Sequence, residues 1–211
     1  MSVQHDIARR VAGHLRDGEV VNLGIGIPTL VADFLPADAG VVLQTENGML
    51  GVGPAPGADQ VDPALVNAGK QPITALPGAS YFSSSASFGL IRGGHVTTSI
   101  LGALQIDGRG RIANWALPGR PILGVGGAMD LMVGARRVIA ATTHTTKDGE
   151  PKLVAECALP LTAERPADLV VTEAATFALR GGGLALVEIA PGFDADWVAA
   201  RTGAPYAEAL P

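Results

Sequence analysis

Two short apolar runs, Glu19-Val20-Val21-Asn22-Leu23 and Val41-Val42-Leu43-Gln44, flank a glycine turn and a short helical stretch. That spacing leaves the chain few options. Gly24 stops the first run as a strand. Gly24-Ile25-Gly26-Ile27-Pro28-Thr29 reads as a tight turn, and Pro28 suits the first turn of a helix reaching about Leu35. The unit occupies roughly 30 residues, the length of a β-α-β crossover between parallel strands. It predicts an α/β fold with an open, mostly parallel sheet and flanking helices. Such sheets take ligands at the carboxyl ends of their strands, and the second strand delivers Thr45-Glu46-Asn47-Gly48 there.

The rest of the chain extends this plan. Val3, Ile7, Val11 and Leu15 recur at helical spacing, with Arg9, Arg10 and Arg16 elsewhere on the wheel, so the chain opens with an amphipathic helix. Gly48 to Pro77 is rich in Gly, Pro and Asp and reads as a long ordered loop, a class that is usually functional. Ser83 to Ile91 predicts a serine-capped helix. Val96 to Ile106 reads as a long β-prone run, pairing through Asp107-Gly108 with Arg111 to Trp115 as a hairpin. Val138 to Thr142, Leu153 to Cys157 and Leu169 to Thr172 are further strands. Phe177–Leu179 and Leu184–Ile189 form a late hairpin around Arg180 to Gly183, and Asp194 to Arg201 a closing helix. Some antiparallel hairpins thus join the parallel sheet. No linker divides the 211 residues, so 1–211 reads as one domain.

Composition excludes several functions. With 47% hydrophobic and 17% charged residues the chain has the balance of a compact core, not of a disordered segment. Net charge is −5 with scattered lysines and arginines, which gives nucleic acid no basic stripe. No apolar run approaches the ~18 residues of a membrane span. The start lacks a signal core, and the lone Cys157 permits no internal disulfide, so a reducing, cytoplasmic setting is expected.

Glu46 is the leading chemical candidate. Glycines and an asparagine follow it, Glu46-Asn47-Gly48-Met49-Leu50-Gly51-Val52-Gly53-Pro54, and small residues let another molecule approach closely. A solvated loop glutamate is the alternative. The turn Gly24 to Pro28 could hold an anion on free amides, or be merely a tight turn. Read with Glu46 it imitates a dinucleotide fingerprint, but Thr29 stands where the third glycine belongs. Gly124-Val125-Gly126-Gly127-Ala128 could offer amides to an oxyanion, or simply pack closely. Lys70 could meet a phosphate or be a surface charge. His95 and His144 suggest no metal site, since neither CxxC nor HExxH occurs. Cys157, beside Glu156, reads as an unreactive thiol. Trp115 and Trp197 read as packing residues.

Together these segments resemble the B half of the class I (3-oxoacid) CoA-transferases, the succinyl-CoA:3-oxoacid group. Asn22 through Pro28, Glu46 through Pro54, Ile91-Arg92-Gly93-Gly94-His95 and Gly124 through Leu131 carry the match. Leu76 through Ser80 and Ala113-Asn114-Trp115 add to it. The resemblance implies that Glu46 attacks an acyl-CoA thioester and that CoA passes through a glutamyl-CoA thioester in ping-pong fashion. It implies Gly127 as the oxyanion amide. Gly24, Ile25, Gly26, Ile27, Pro28, Asn47, Lys70 and Gly126 are the implied CoA contacts. Coenzyme A is then substrate and covalent intermediate, with no permanently bound cofactor and no metal. An A half on a separate chain is implied as partner, in an A2B2 or similar hetero-oligomer acting on acyl-CoA and carboxylic acids.

Free glutamate side chains titrate near ~4.3, so a carboxylate nucleophile needs no general base at neutral pH. It is a weak nucleophile, and positioning and oxyanion donors must lower the barrier. The serines of Ser83-Ser84-Ser85-Ala86-Ser87-Phe88 stand where 3-oxoadipate transferases tend to carry a histidine pair, which favours an acetoacetate-like acid. Lys152 through Cys157 is instead similar to the 3-oxoadipate group, which stays an alternative. A nicotinamide-dependent oxidoreductase and a non-catalytic acyl-CoA-binding module are the more distant ones.

Overall fold

Alternate residues of the central strands feed two separate apolar cores, and this alternation positions everything else. In a computed structural model describing residues 2–119 and 124–210, β1 (Val20–Leu23), β2 (Val42–Thr45), β3 (Met49–Val52) and β4 (Ala75–Tyr81) form one end of a ten-stranded sheet. The sheet continues from β1 through β5 (Thr98–Gly102), then β8 (Arg137–Ala141) and β10 (Leu169–Val171). It ends with β11 (Ala175–Arg180), β12 (Gly183–Ile189) and β13 (Tyr206–Glu208). β6 (Gln105–Asp107), β7 (Ile112–Ala113) and β9 (Leu153–Val154) make a second, three-stranded sheet.

The strands β2, β1, β5, β8 and β10 run parallel. Ile100, Ile139 and Val171 point into a core with Ile7 and Val11 of α1 (Val3–Ala12). Their neighbours Leu101, Val138, Ala140 and Val170 point the other way, towards Ile91 of α2 (Ser84–Arg92) and Leu131 and Met132 of α3 (Ala128–Gly134). Strands covered on both faces need apolar residues at successive positions. This is why these strands lack a polar alternation.

The β-α-β unit forms, with Val20 paired to Val42 and Asn22 to Gln44, and the α/β class holds. Several local readings change. The helix after Pro28 is a 3-10 helix, Ile27–Phe34, not an α-helix. The segment expected to be one loop from Gly48 to Pro77 contains β3 and the start of β4, paired antiparallel, so only 53–74 remains loop. Glycine content hid these strands: Gly51 has φ 85° and a Cβ there would lie 3.0 Å from Ala79 Cα. The long run Val96 to Ile106 divides between the two sheets, β5 entering the large one and β6 the small one. Leu153 to Cys157 keeps only two strand residues. Strand β13 has no counterpart among the expected elements. The expected serine cap forms, with Ser83 Oγ accepting from the Ala86 amide, and the closing helix α4 (Ala195–Arg201) is capped by Asp194, which accepts from the Trp197 amide.

Candidate active site

β2 and β3 meet in a tight turn, and Glu46 stands on its corner, one residue past the last residue of β2. The Gly48 amide closes the turn on the Thr45 carbonyl at 3.0 Å. Only glycine fits position 48: its φ is 128°, and a Cβ there would lie 2.1 Å from the Phe82 carbonyl oxygen. Thr45 Oγ1 donates to Asn47 Oδ1 at 2.8 Å, Asn47 Nδ2 donates to the Val66 carbonyl at 2.8 Å, and the Ala68 amide donates to Thr45 Oγ1 at 2.9 Å. The loop beyond β3 is therefore stitched to the turn that carries Glu46.

Glu46 itself is half-buried. Asn22, fully buried on β1, donates from Nδ2 to Glu46 Oε2 at 3.1 Å. On its open side the carboxylate faces a cleft of about 550 Å³, whose walls include Gly24, Ile25, Trp115, Gly126 and Gly127. Gly127, the N-cap of α3, comes up against Glu46: a Cβ built on it would sit 3.7 Å from Glu46 Cγ and 3.0 Å from Phe88 Cζ. Among the described residues no carbonyl accepts the Gly127 amide. A carboxylate, a gap where a side chain would stand and glycine backbone thus share one cleft.

The sequence-predicted residues divide accordingly. Glu46, Gly24, Ile25, Gly126 and Gly127 come together. Gly26 lines a neighbouring, largely apolar cavity of about 470 Å³ behind Ile25, which borders both. Ile27 and Pro28 open the 3-10 helix, and Pro28 is buried. Asn47 lines neither cavity and its side chain serves the loop. Lys70 is exposed, with φ 62°, between Gly69 and Gln71 at the rim of the second cavity. Asn22 and Gln44, which the structure places beneath Glu46, were not among the expected site residues. Polar side chains inside runs that otherwise read as buried strands were the available signal.

Away from the cleft, His144 is fully buried between Thr172 Oγ1 and Thr202 Oγ1, each at 3.0 Å, and burial lowers its pKa to about 4. Cys157 is half-buried; burial, with the nearby Asp107 carboxylate, pushes its thiol up to about 11. Among the described residues no three His, Cys, Asp or Glu side chains cluster as a metal site, and no helix is long and apolar enough to cross a membrane.

The family description "Coenzyme A transferase" matches residues 4–201. The chain belongs to that family. This CoA-transferase chain is 50% identical over 206 residues to the beta subunit of the acetate CoA-transferase of Escherichia coli K12, covering 98% of this chain and 94% of that protein. It is 43% identical over 201 residues to the B-type subunit of the probable succinyl-CoA:3-ketoacid coenzyme A transferase of Bacillus subtilis 168, covering 95% and 93%. The acyl-CoA transferase apoenzyme of Escherichia coli O157:H7 shares the fold, with a TM-score of 0.77 at 24% identity. The alignment covers all of this chain and 43% of that longer one. The nicotinamide reading has no counterpart among these similarities, and the CoA-transferase chain is an enzyme of its family's class.

Proposed function

We propose that this chain is the B half of a short-chain CoA-transferase in which Glu46 is the covalent nucleophile. The observation that carries this is the half-buried Glu46 carboxylate, held by Asn22 and facing the gap at Gly127 in an open cleft. A Glu46 oxygen attacks the thioester carbonyl carbon; the carbon–sulfur bond breaks, leaving a mixed anhydride and CoA thiolate. The thiolate then attacks the glutamyl carbonyl, the donor carboxylate departs, and a glutamyl-CoA thioester remains. An incoming carboxylate runs the same steps in reverse. Charge develops on the acyl oxygen at each tetrahedral stage, and the Gly127 amide is our candidate donor to it.

Gly24, Ile25 and Gly126 line the same cleft and suit contact with the thioester end of CoA. Gly26, which lines the second cavity, and Lys70 at its rim suit the more distant parts of the ligand, while Ile27, Pro28 and Asn47 suit shaping the turns beside it. The loop 53–74 is our candidate cover against water. The printed names of the two relatives, one for acetate and one for 3-ketoacids, support a short acid such as acetoacetate as acceptor. They do not favour the 3-oxoadipate alternative. Their naming as beta and B-type subunits supports a separate A-type partner chain, and an A2B2 assembly is our expectation. Residues 1–211 act as one unit in this reading, since one sheet draws strands from Val20 through to Glu208. The lone Cys157 suits work in the cytoplasm.

The test is co-expression with the A-type partner, addition of succinyl-CoA or acetoacetyl-CoA, and mass spectrometry of the Glu46 peptide. A CoA-sized adduct is expected. Glu46→Ala should lose both adduct and turnover; turnover surviving in that variant refutes the assignment.

A further inference from the structure

We infer that Gln44 and Ser87 are positioning residues for the transfer reaction, acting on Glu46 through the orientation of the Asn22 amide. The inference rests on the reading of Glu46 as nucleophile. All three side chains are buried, Asn22 and Ser87 completely. Gln44 Nε2 donates to Ser87 Oγ at 2.8 Å and to the Thr45 carbonyl at 3.1 Å. Both its amide hydrogens are thereby directed at oxygens, and Gln44 Oε1 must face the other way. There it accepts from Asn22 Nδ2 at 2.7 Å. Asn22 Nδ2 also donates to Glu46 Oε2 at 3.1 Å and, more weakly, to the Gln44 backbone carbonyl at 3.3 Å.

The cost of this arrangement identifies its direction. Asn22 Oδ1 is buried and has no hydrogen-bond partner among the described residues. A buried acceptor left without a donor is unfavourable. Turning the amide over would place Oδ1 against three acceptors, Gln44 Oε1, the Gln44 carbonyl and Glu46 Oε2, which is worse. The orientation is therefore imposed by the acceptors around Asn22 Nδ2, and the Gln44 side chain, held by Ser87 of α2, supplies the shortest of those contacts. The register pairing of Asn22 with Gln44 on parallel strands puts the two side chains next to each other. Ser87 reaches them from the helix that also supplies Phe88, the ring beside Gly127.

Functionally, a donor fixed below one carboxylate oxygen leaves the other to attack, and steadies a side chain that would otherwise sample several rotamers. Losing a hydrogen bond to a charged group corresponds to roughly 10- to 100-fold in a rate or binding constant. The proposed probe is the single-turnover rate of adduct formation at Glu46 with acetoacetyl-CoA, measured on the complex with its A-type partner. Melting temperature serves as the folding control.

Gln44→Met removes the neutral bond to Asn22 and should slow adduct formation by up to about 10-fold while leaving CoA affinity unchanged. Ser87→Ala should cost less, because the Thr45 carbonyl still holds the Gln44 amide. It carries the test should Gln44→Met fail to fold. Both changes are then repeated on an Asn22→Ala background, where a group acting through Asn22 has nothing left to orient. Costs that vanish there support the relay. Costs repeated in full on that background, or wild-type rates in the single variants, overturn it. Adduct on Glu46 with wild-type rates sinks only the relay; turnover in Glu46→Ala sinks the nucleophile assignment itself.

Discussion

Adding a single methyl group at Gly127 tests the proposed chemistry with little disturbance to the fold. The residue sits at φ −78° and ψ −6°, a conformation alanine adopts freely, so the backbone carries no penalty. The steric consequences are local. The new Cβ would stand 3.0 Å from Phe88 Cζ and 3.2 Å from Cε1, so that half-buried ring must yield by a few tenths of an ångström. It would also stand 3.7 Å from Glu46 Cγ, in contact with the side chain proposed as nucleophile. In the proposed mechanism the acyl group must occupy that side of the carboxylate. Displacement by about 1 Å costs on the order of 100-fold, and loss of an oxyanion donor about 100- to 1,000-fold. We therefore expect kcat for Gly127→Ala to fall by about 100-fold or more, with the melting temperature nearly unchanged. Steady-state CoA transfer by the assembled complex of both chain types measures the first, and differential scanning fluorimetry the second. A variant with wild-type kcat would refute the placement of the reacting acyl group between Gly127 and Glu46. Loss of activity together with a large fall in melting temperature would refute the claim that the methyl acts locally.

Three further outcomes are expected. Glu46→Asp withdraws the carboxylate by one methylene from its 3.1 Å contact with Asn22, and transfer should fall at least ~100-fold in the same assay. His144 is neutral when folded, its pKa lowered to about 4 chiefly by burial and then by Arg201, so the unfolded chain takes up this proton first. Its contribution is intact above the ordinary value near ~6.5 and is lost as pH falls towards about 4, by up to about 3 kcal/mol. Urea midpoints at pH 7 and pH 4.5 should accordingly differ less in His144→Gln than in the parent; an unchanged difference removes His144 as a source of acid sensitivity. Cys157, its thiol pushed up to about 11, should react with iodoacetamide about 100-fold more slowly than free cysteine at pH 7.5. Rapid labelling of the folded chain would contradict the burial given for it.

The sequence by itself determined the parts governed by short-range rules. Apolar runs around a Gly-Pro turn specify β1, the following helical turn and β2, and strand-end placement singles out Glu46 because a parallel sheet opens its ligand cleft there. Serine and aspartate caps mark the starts of α2 and α4 for an equally local reason, since each satisfies an amide three residues on. Glycine-rich strands defeated the same rules. Gly51 and Gly78 break the alternation from which β3 and β4 would be read, and their strand state comes from pairing with chain many residues away. The division of Val96 to Ile106 between two sheets is likewise a matter of which partner each half finds. Tertiary structure alone decided that Gly127 faces Glu46, that Gln44 and Ser87 meet under it, and that Lys70 stands apart from the cleft. Distances between residues far apart in sequence depend on how the sheet and helices stack, and composition and periodicity carry no record of that stacking.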